Sequence, residues 1–234
     1  MVYYLGLSLL SNKRDNPRKA ERREFLSAEA RRILSQLEGR PLAEGDIAAD
    51  AAGRPFFPNR DTDFSISHSG NLAAVSLAAG KNLRTGCDVE LVRPRAGAPA
   101  IAKEFFTAPE REYIESGGGF DVTRFYQIWT LKECFLKLRG LSIFDMAGAP
   151  SFICGKDPSQ FALGADSVPP ISFHLYELTG SAGERYILAA AIEGTEREPP
   201  EIRWFSQETL DCINMTSVVY TPSPKTDTQI QRWR

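Results

Sequence analysis

The sequence predicts an α+β protein made of two similar halves, each a helix packed on a small antiparallel sheet. Three observations carry this. Two long helical patterns, near residues 18–37 and 121–139, lie far apart, and each is accompanied by strand-like runs. The runs Phe64–Ser67 and Leu72–Ala78 adjoin closely enough to form a hairpin. The stretch Leu72-Ala73-Ala74-Val75-Ser76-Leu77-Ala78 is echoed in texture by Leu188-Ala189-Ala190-Ala191-Ile192.

Residues 2–10 read as a first strand. From about Arg18 to Leu37 the apolar residues Leu26, Ala30, Ile33, Leu34 and Leu37 keep helical spacing, and Gly39 can end the helix. Gly53-Arg54-Pro55-Phe56-Phe57-Pro58 reads as turn and loop, because glycine and two prolines interrupt any regular element. Phe64 and Ile66 alternate with Ser65 and Ser67, and the hairpin turn is expected to carry Ser67-His68-Ser69-Gly70. A strand over Gly86–Val92 follows, and Pro94, Gly97 and Pro99 mark a boundary between an N-terminal half (1–95) and a C-terminal half (96–206).

The second half opens with a helix near Ala100–Phe106. Thr107 and Glu110 have capping-box spacing with Pro109 in the first turn, starting a helix that runs to about Glu115. Gly117-Gly118-Gly119 is a break, after which Asp121 can cap a long helix to Arg139 with Gly140 past its end. Its apolar face carries Ile128, Leu131, Phe135 and Leu138. Short strands are expected near 152–153, 171–178, 186–192 and 202–205, and a polar tail, partly ordered at best, over 207–234.

Composition narrows the class. Hydrophobic residues at 42% and charged residues at 25% fit a soluble globular protein. A net charge of -2 gives no bulk basic field for nucleic acid or an anionic membrane, although Arg18, Lys19, Arg22, Arg23, Arg31 and Arg32 form a local basic cluster. Cys87, Cys134, Cys154 and Cys212 form no Cys-x-x-Cys pair, and two histidines make a zinc site improbable. Free thiols and a start without a basic leader point to a cytoplasmic setting, and no apolar run reaches membrane-spanning length.

The chemistry concentrates in two segments. On a strand Asp88 and Glu90 point the same way, and on a helix Trp129, Glu133 and Lys137 form one stripe. If that helix packs on that strand, three carboxylates and one ammonium converge. Hard oxygen ligands suit Mg²⁺, which commonly binds one or two carboxylates together with substrate phosphates, and lysine suits phosphate as a point charge. Taken singly, two acids on a strand or Glu four residues before Lys are ordinary solvated surface, and Trp129 is ordinary packing.

Order adds weight. Gly53-Arg54-Pro55, then Ile66-Ser67-His68-Ser69, then Gly86-Cys87-Asp88-Val89-Glu90, then Trp129-Thr130-Leu131-Lys132-Glu133 closing at Lys137, resembles the 4′-phosphopantetheinyl transferases of the larger single-chain, pseudo-dimeric type named after Sfp, over residues 53–141. The resemblance implies transfer of the 4′-phosphopantetheine arm of coenzyme A to a serine hydroxyl of an apo acyl or peptidyl carrier protein, with 3′,5′-ADP as the other product. It implies that Asp88, Glu90 and Glu133 hold Mg²⁺, with Mn²⁺ an alternative, and that Lys137 contacts coenzyme A phosphate. It places Ser67 and His68 on coenzyme A, with His68 near the 3′-phosphate, and Arg54 beside the nucleotide. Arg31 or Arg32 is a further candidate for a phosphate, and Arg18 and Lys19 weaker ones. Glu133 is the expected proton acceptor, and the cofactor lies in the cleft between the halves. The family's larger type implies a monomer.

The sequence departs from the family pattern at Arg54, where lysine is usual, at Cys134, where Ala or Ser is common, and at Cys87, where a β-branched residue is common. Residues 142–234 match no motif. Two rival functions use the same vocabulary. A metal-dependent nuclease leaves the Gly-Arg-Pro and Ser-His-Ser segments unexplained and is disfavoured by a pI near 5.8. A non-catalytic carrier-binding relative would tolerate loss of the acids, yet all three are present.

Overall fold

A computed structural model describes residues 2–10, 19–154, 161–162, 171–194, 198–206 and 209–220. Strand β1 (Val2–Leu9) leads to helix α1 (Lys19–Glu38). The short strands β2 (Ala48–Ala49) and β3 (Pro55–Phe56) pair with each other, so the segment expected as plain loop holds a minimal two-stranded ribbon. Strands β4 (Thr62–Ser69), β5 (Leu72–Ala79) and β6 (Arg84–Leu91) follow. Then come α2 (Ala98–Phe105), α3 (Ala108–Glu115), α4 (Val122–Arg139) and a 3-10 helix (Ile143–Gly148). The chain finishes with β7 (Ile153–Cys154), β8 (Phe161–Ala162), β9 (Ile171–Thr179), β10 (Arg185–Glu193), β11 (Glu201–Trp204) and β12 (Asp211–Tyr220). The start of α1 near Arg18 lies outside the described residues.

Two four-stranded sheets dominate, in the orders β11-β1-β5-β4 and β12-β9-β10-β6. All their ladders are antiparallel except β1 with β11. Helix α1 covers the outer face of the first sheet through Leu26, Ala30, Ile33, Leu34 and Leu37, all buried. Helix α4 covers the outer face of the second with Ile128, Leu131, Phe135 and Leu138, again buried. Between the sheets lies a third apolar layer that includes Leu5, Leu7, Leu72, Cys87, Val89, Leu178 and Leu188. Strands β5 and β10 are therefore covered on both faces. Such strands read as continuous apolar runs, not alternating ones, which is why their sequences echo each other.

The sheets do not follow the break at Pro94–Pro99. Strand β6, from the first 95 residues, pairs with β10 from Tyr186↔Leu91 to Glu193↔Arg84. Strand β11, from the second half, pairs with β1. The polar stretch beyond 207 also carries more order than its composition implied. Backbone pairing to β9 makes Asp211–Tyr220 an edge strand, since a ladder bonds main chain whatever the side chains. Residues 221–234 of that tail lie outside the described residues.

Local signals work as read around the long helix. Asp121 accepts from the Thr123 N–H at 2.8 Å, and Gly140 closes the helix in the left-handed region. The capping residue Glu110 has a second duty. It takes the Thr107 N–H at 2.7 Å and the Phe152 N–H at 2.8 Å, and lies 3.2 Å from Lys132 Nζ. Both side chains of this ion pair are wholly buried, and Lys132 also donates to the Pro150 carbonyl at 3.1 Å. Burial pushes the Lys132 ammonium down, opposed by Glu110. Lys132 thus ties α3, α4 and the segment before β7 together.

One close approach sets the position of α4. A Cβ at Gly86 would stand 2.4 Å from the Cys134 carbonyl oxygen and 2.9 Å from Leu138 Cβ. The obstacle is helix backbone, which cannot swing aside. Gly86→Ala is therefore expected to cost about 2 kcal/mol or more through overpacking, measured as a lower melting temperature. A melting curve matching the parent's would show that the contact does not hold the helix.

Candidate active site

The glycine contact decides which side chains meet. Two residues on from Gly86, Asp88 faces the same side of β6. One turn further along α4 from Glu133, Lys137 places its Nζ 2.7 Å from Asp88 Oδ1 and 3.5 Å from the Ile66 carbonyl. Glu133 and Glu90 face the same space. Together with Ser27, Arg31, Ser67 and His68 these residues line one cavity of about 460 Å³.

The seam between the sheets orders the acids. No backbone ladder joins β4 to β6; side chains of β4 cap the β6 amides instead. Asp63 accepts from the Thr85 N–H at 2.8 Å, Ser67 from the Val89 N–H at 3.2 Å and Ser69 from the Leu91 N–H at 3.0 Å. Ser67 lies 2.8 Å from Asp88 Oδ1, and Ser69 lies 2.8 Å from Glu90 Oε2. These bonds extend β4 through Ser69, so the turn is only Gly70 and Asn71, with Gly70 at φ +57°. The Ser-His-Ser segment expected in the turn is strand.

Electrostatics are uneven across the cavity. Burial, then the neighbouring Asp88 charge, raises Glu133 from its ordinary 4.5 to about 7, with Lys137 opposing. Burial and Asp88 also raise Glu90. Burial alone would lower Lys137, but Asp88 and its hydrogen bond hold the ammonium above its ordinary range. Burial, with Lys137 and Arg23 adding, lowers His68. Asp88 Oδ2 is buried without a hydrogen-bond partner. A buried carboxylate oxygen left without a donor, beside two acids held above their usual range, is the donor chemistry a hard cation satisfies. Among the described residues, however, no three His, Cys, Asp or Glu side chains already form a cage for a metal. Asp88, Glu90 and Glu133 share the cavity without closing on one point.

The expected site residues are sorted as follows. Arg31 reaches the cavity. Arg32 does not: it turns to Glu29 at 2.8 Å, Gln36 at 2.7 Å and the Phe205 carbonyl at 2.9 Å. Arg54, expected beside the nucleotide, lines a different hollow, with Asp50, Arg60 and Arg84. Its guanidinium pairs bidentately with Asp63 at 2.9 and 2.6 Å and donates to the carbonyls of Lys137 at 2.9 Å and Thr85 at 3.1 Å. With its donors used this way, Arg54 braces the end of α4 against β4 and β6. Trp129 is 5% exposed and packs on Phe125, as expected. It also contributes to Glu90, whose charged form its side-chain hydrogen bond favours, and Arg95 covers its ring at 5.0 Å. Sequence reading passed over Arg95 and gave no role to Ser69 and Lys132, although both stand within its motifs. Ser69 had a signal: it follows Ser67 by two, as Glu90 follows Asp88.

Comparison with known proteins bears on this site. Residues 84–191, which include Asp88, Glu90, Glu133 and Lys137, match the family model of the 4′-phosphopantetheinyl transferase superfamily. The 4′-phosphopantetheinyl transferase AcpT of Escherichia coli (strain K12) is 30% identical over 148 residues, 55% of this chain and 73% of the relative. The chain belongs to this superfamily. Over 121 residues it is 31% identical to the AcpT of Salmonella typhi, covering 51% of this chain and 59% of that protein. Over 146 residues it is 29% identical to the 4′-phosphopantetheinyl transferase HetI of Nostoc sp., covering 59% and 61%. A match to a Synechocystis sp. relative spans only 38% of that protein's length. No described helix is long and apolar enough to cross a membrane.

Between pH about 4.5 and about 7 the folded state keeps a proton on Glu133 that the unfolded chain has lost, so stability falls as pH rises through this window. Glu133→Gln cannot ionise. In chelator-treated buffer it is expected to be more stable than the parent above pH 7, by about 2 kcal/mol, with the gain gone near pH 4.5. A difference independent of pH in chemical denaturation would contradict the burial of a strained carboxylate here.

Proposed function

We propose that this chain transfers the 4′-phosphopantetheine arm of coenzyme A to a serine hydroxyl of an apo acyl or peptidyl carrier protein, releasing 3′,5′-ADP. The observation that carries the proposal is the single cavity in which Asp88, Glu90 and Glu133 face Lys137, His68 and Arg31. Family membership, and relatives named for this transfer, support it.

In this reading the two helix-backed sheets are the halves of a pseudo-dimer, and coenzyme A lies in the cleft where β4 meets β6. Asp88, Glu90 and Glu133 would hold Mg²⁺, or Mn²⁺, with Asp88 Oδ2 as the anchor atom. Bound there, a divalent cation neutralises charge on the pyrophosphate and on the departing 3′,5′-ADP. Lys137 binds a phosphate oxygen while Asp88 keeps its ammonium charged and aimed. Arg31, exposed at the rim, and His68, neutral until an anion approaches, receive the 3′-phosphate. The carrier serine Oγ forms a bond to the phosphorus bearing the pantetheine arm. The bond from that phosphorus to the bridging oxygen breaks, and the oxygen leaves on 3′,5′-ADP. Glu133 accepts the serine proton, a task suited to a carboxylate poised near neutral pH. The protein's part is mainly positioning and charge neutralisation, the main requirements for transfer at phosphorus. A cytoplasmic monomer acting on carriers of fatty acid, polyketide or nonribosomal peptide synthesis fits this chemistry.

Incubation with coenzyme A, Mg²⁺ and an apo carrier, read by intact mass, tests the proposal. The carrier is expected to gain one phosphopantetheine, and Asp88→Ala to lower the rate by about a hundredfold or more while its circular dichroism stays that of the parent. Unmodified carriers across several pathways would favour a non-catalytic relative instead. Cleavage of nucleic acid without transfer would favour a nuclease.

A further inference from the structure

Ser69 closes the Ile66–Ser69 motif without a role of its own there, yet its hydroxyl is committed in both directions. It stands 3.0 Å from the Leu91 nitrogen and 2.8 Å from Glu90 Oε2. A backbone N–H can only donate, so the hydroxyl accepts there. Its single proton is then directed to the carboxylate. The main chain of β6, not a freely turning hydroxyl, sets this polarity. Ser67 repeats the arrangement two residues earlier, with Val89 N at 3.2 Å and Asp88 Oδ1 at 2.8 Å.

The two acids differ in what else holds them. Asp88 has Lys137 at 2.7 Å as a second anchor. Glu90 forms no ion pair among the described residues. Its remaining support is a hydrogen bond with the Trp129 side chain and the charge of the Arg95 guanidinium, which covers that ring. Glu90 also separates the main cavity from a neighbouring one of about 450 Å³ lined by Arg93, Pro94, Arg95 and Tyr126. With space on two sides, a glutamate side chain with three rotatable bonds has several rotamers open to it. A fixed donor is what selects one.

We propose that Ser69 is a positioning residue for Glu90: its hydroxyl, oriented by the Leu91 N–H, holds the carboxylate in the rotamer that faces Asp88 across the main cavity. This rests on the reading of Asp88, Glu90 and Glu133 as ligands of a divalent cation. Donors to ligating carboxylates commonly change metal affinity by about ten- to a hundredfold. Asp88, held also by its ion pair to Lys137, depends less on its serine than Glu90 does.

Electron paramagnetic resonance of Mn²⁺ binding in the presence of coenzyme A tests this on the full chain. Ser69→Ala is expected to weaken Mn²⁺ about tenfold and to raise the Mg²⁺ concentration for half-maximal transfer by the same factor. The rate at saturating Mg²⁺ and the affinity for coenzyme A in chelator should stay near the parent's. Ser69→Thr, which keeps the hydroxyl, restores metal affinity. Ser69→Cys, similar in size with a weak donor, behaves as Ser69→Ala and serves where the alanine variant does not fold. Parent-like Mn²⁺ affinity in Ser69→Ala or Ser69→Cys would overturn the proposal, as would a Ser69→Thr variant as weak as Ser69→Ala. Failure of the underlying reading looks different. In that case Glu90→Ala leaves Mn²⁺ affinity unchanged, and the proposal falls with the reading.

Discussion

The site depends on a helix resting directly on a strand. At Gly86 no side chain intervenes between β6 and α4, and the Cys134 carbonyl occupies the space a Cβ would need. That contact fixes the depth at which α4 sits. Depth then decides whether Lys137 reaches Asp88 at 2.7 Å and whether Glu133 looks into the same cavity as Glu90. A comparable contact serves the other sheet, where a Cβ on Gly6 would meet Ile33 of α1 at 2.4 Å. In both places a small residue lets a helix approach closely, but only on β6 does the approach assemble charged groups.

The assembled groups are poorly balanced. Three carboxylates face one short-range ammonium, and two of the acids are held above their usual range by burial and by the Asp88 charge. Asp88 Oδ2 has no partner. Such an arrangement costs folding stability. Two other charge pairs are more fully satisfied. Lys132 with Glu110 and Arg54 with Asp63 each combine an ion pair with further hydrogen bonds to the backbone. Three carboxylates gathered in one cavity with a buried oxygen left unpartnered is a pattern expected of a functional site, where local rules are broken for chemistry.

Much of this was legible in the sequence, for identifiable reasons. Helix ends at Asp121 and Gly140 and the box at Thr107 and Glu110 are local devices, so they read correctly without tertiary knowledge. The parity of Asp88 and Glu90 and the spacing of Glu133 and Lys137 follow from strand and helix geometry alone. What sequence could not show was long-range. Exchange of β6 and β11 between sheets is a pairing decision invisible to periodicity. The bracing contacts of Arg54 were not legible because its motif position says nothing about Asp63, nine residues on, which takes its fork. Arg31 and Arg32 are adjacent and chemically identical. Only the packing of α1 shows that one faces the cavity while the other meets Glu29. Ser67, His68 and Ser69 looked like a turn because Ser and Gly favour turns, yet bonds to β6 keep them extended.

The central claim is that packing α4 on β6 builds a carboxylate site for a divalent cation against a pyrophosphate. A crystal structure with coenzyme A and Mn²⁺, with the cation located by anomalous scattering, tests it most directly. The expected result is a single Mn²⁺ peak at about 2 Å from Asp88 Oδ2, shared with Glu90 or Glu133 and with pyrophosphate oxygens, and Lys137 still at Asp88. A cation held by other residues, or coenzyme A bound outside this cavity, would contradict it.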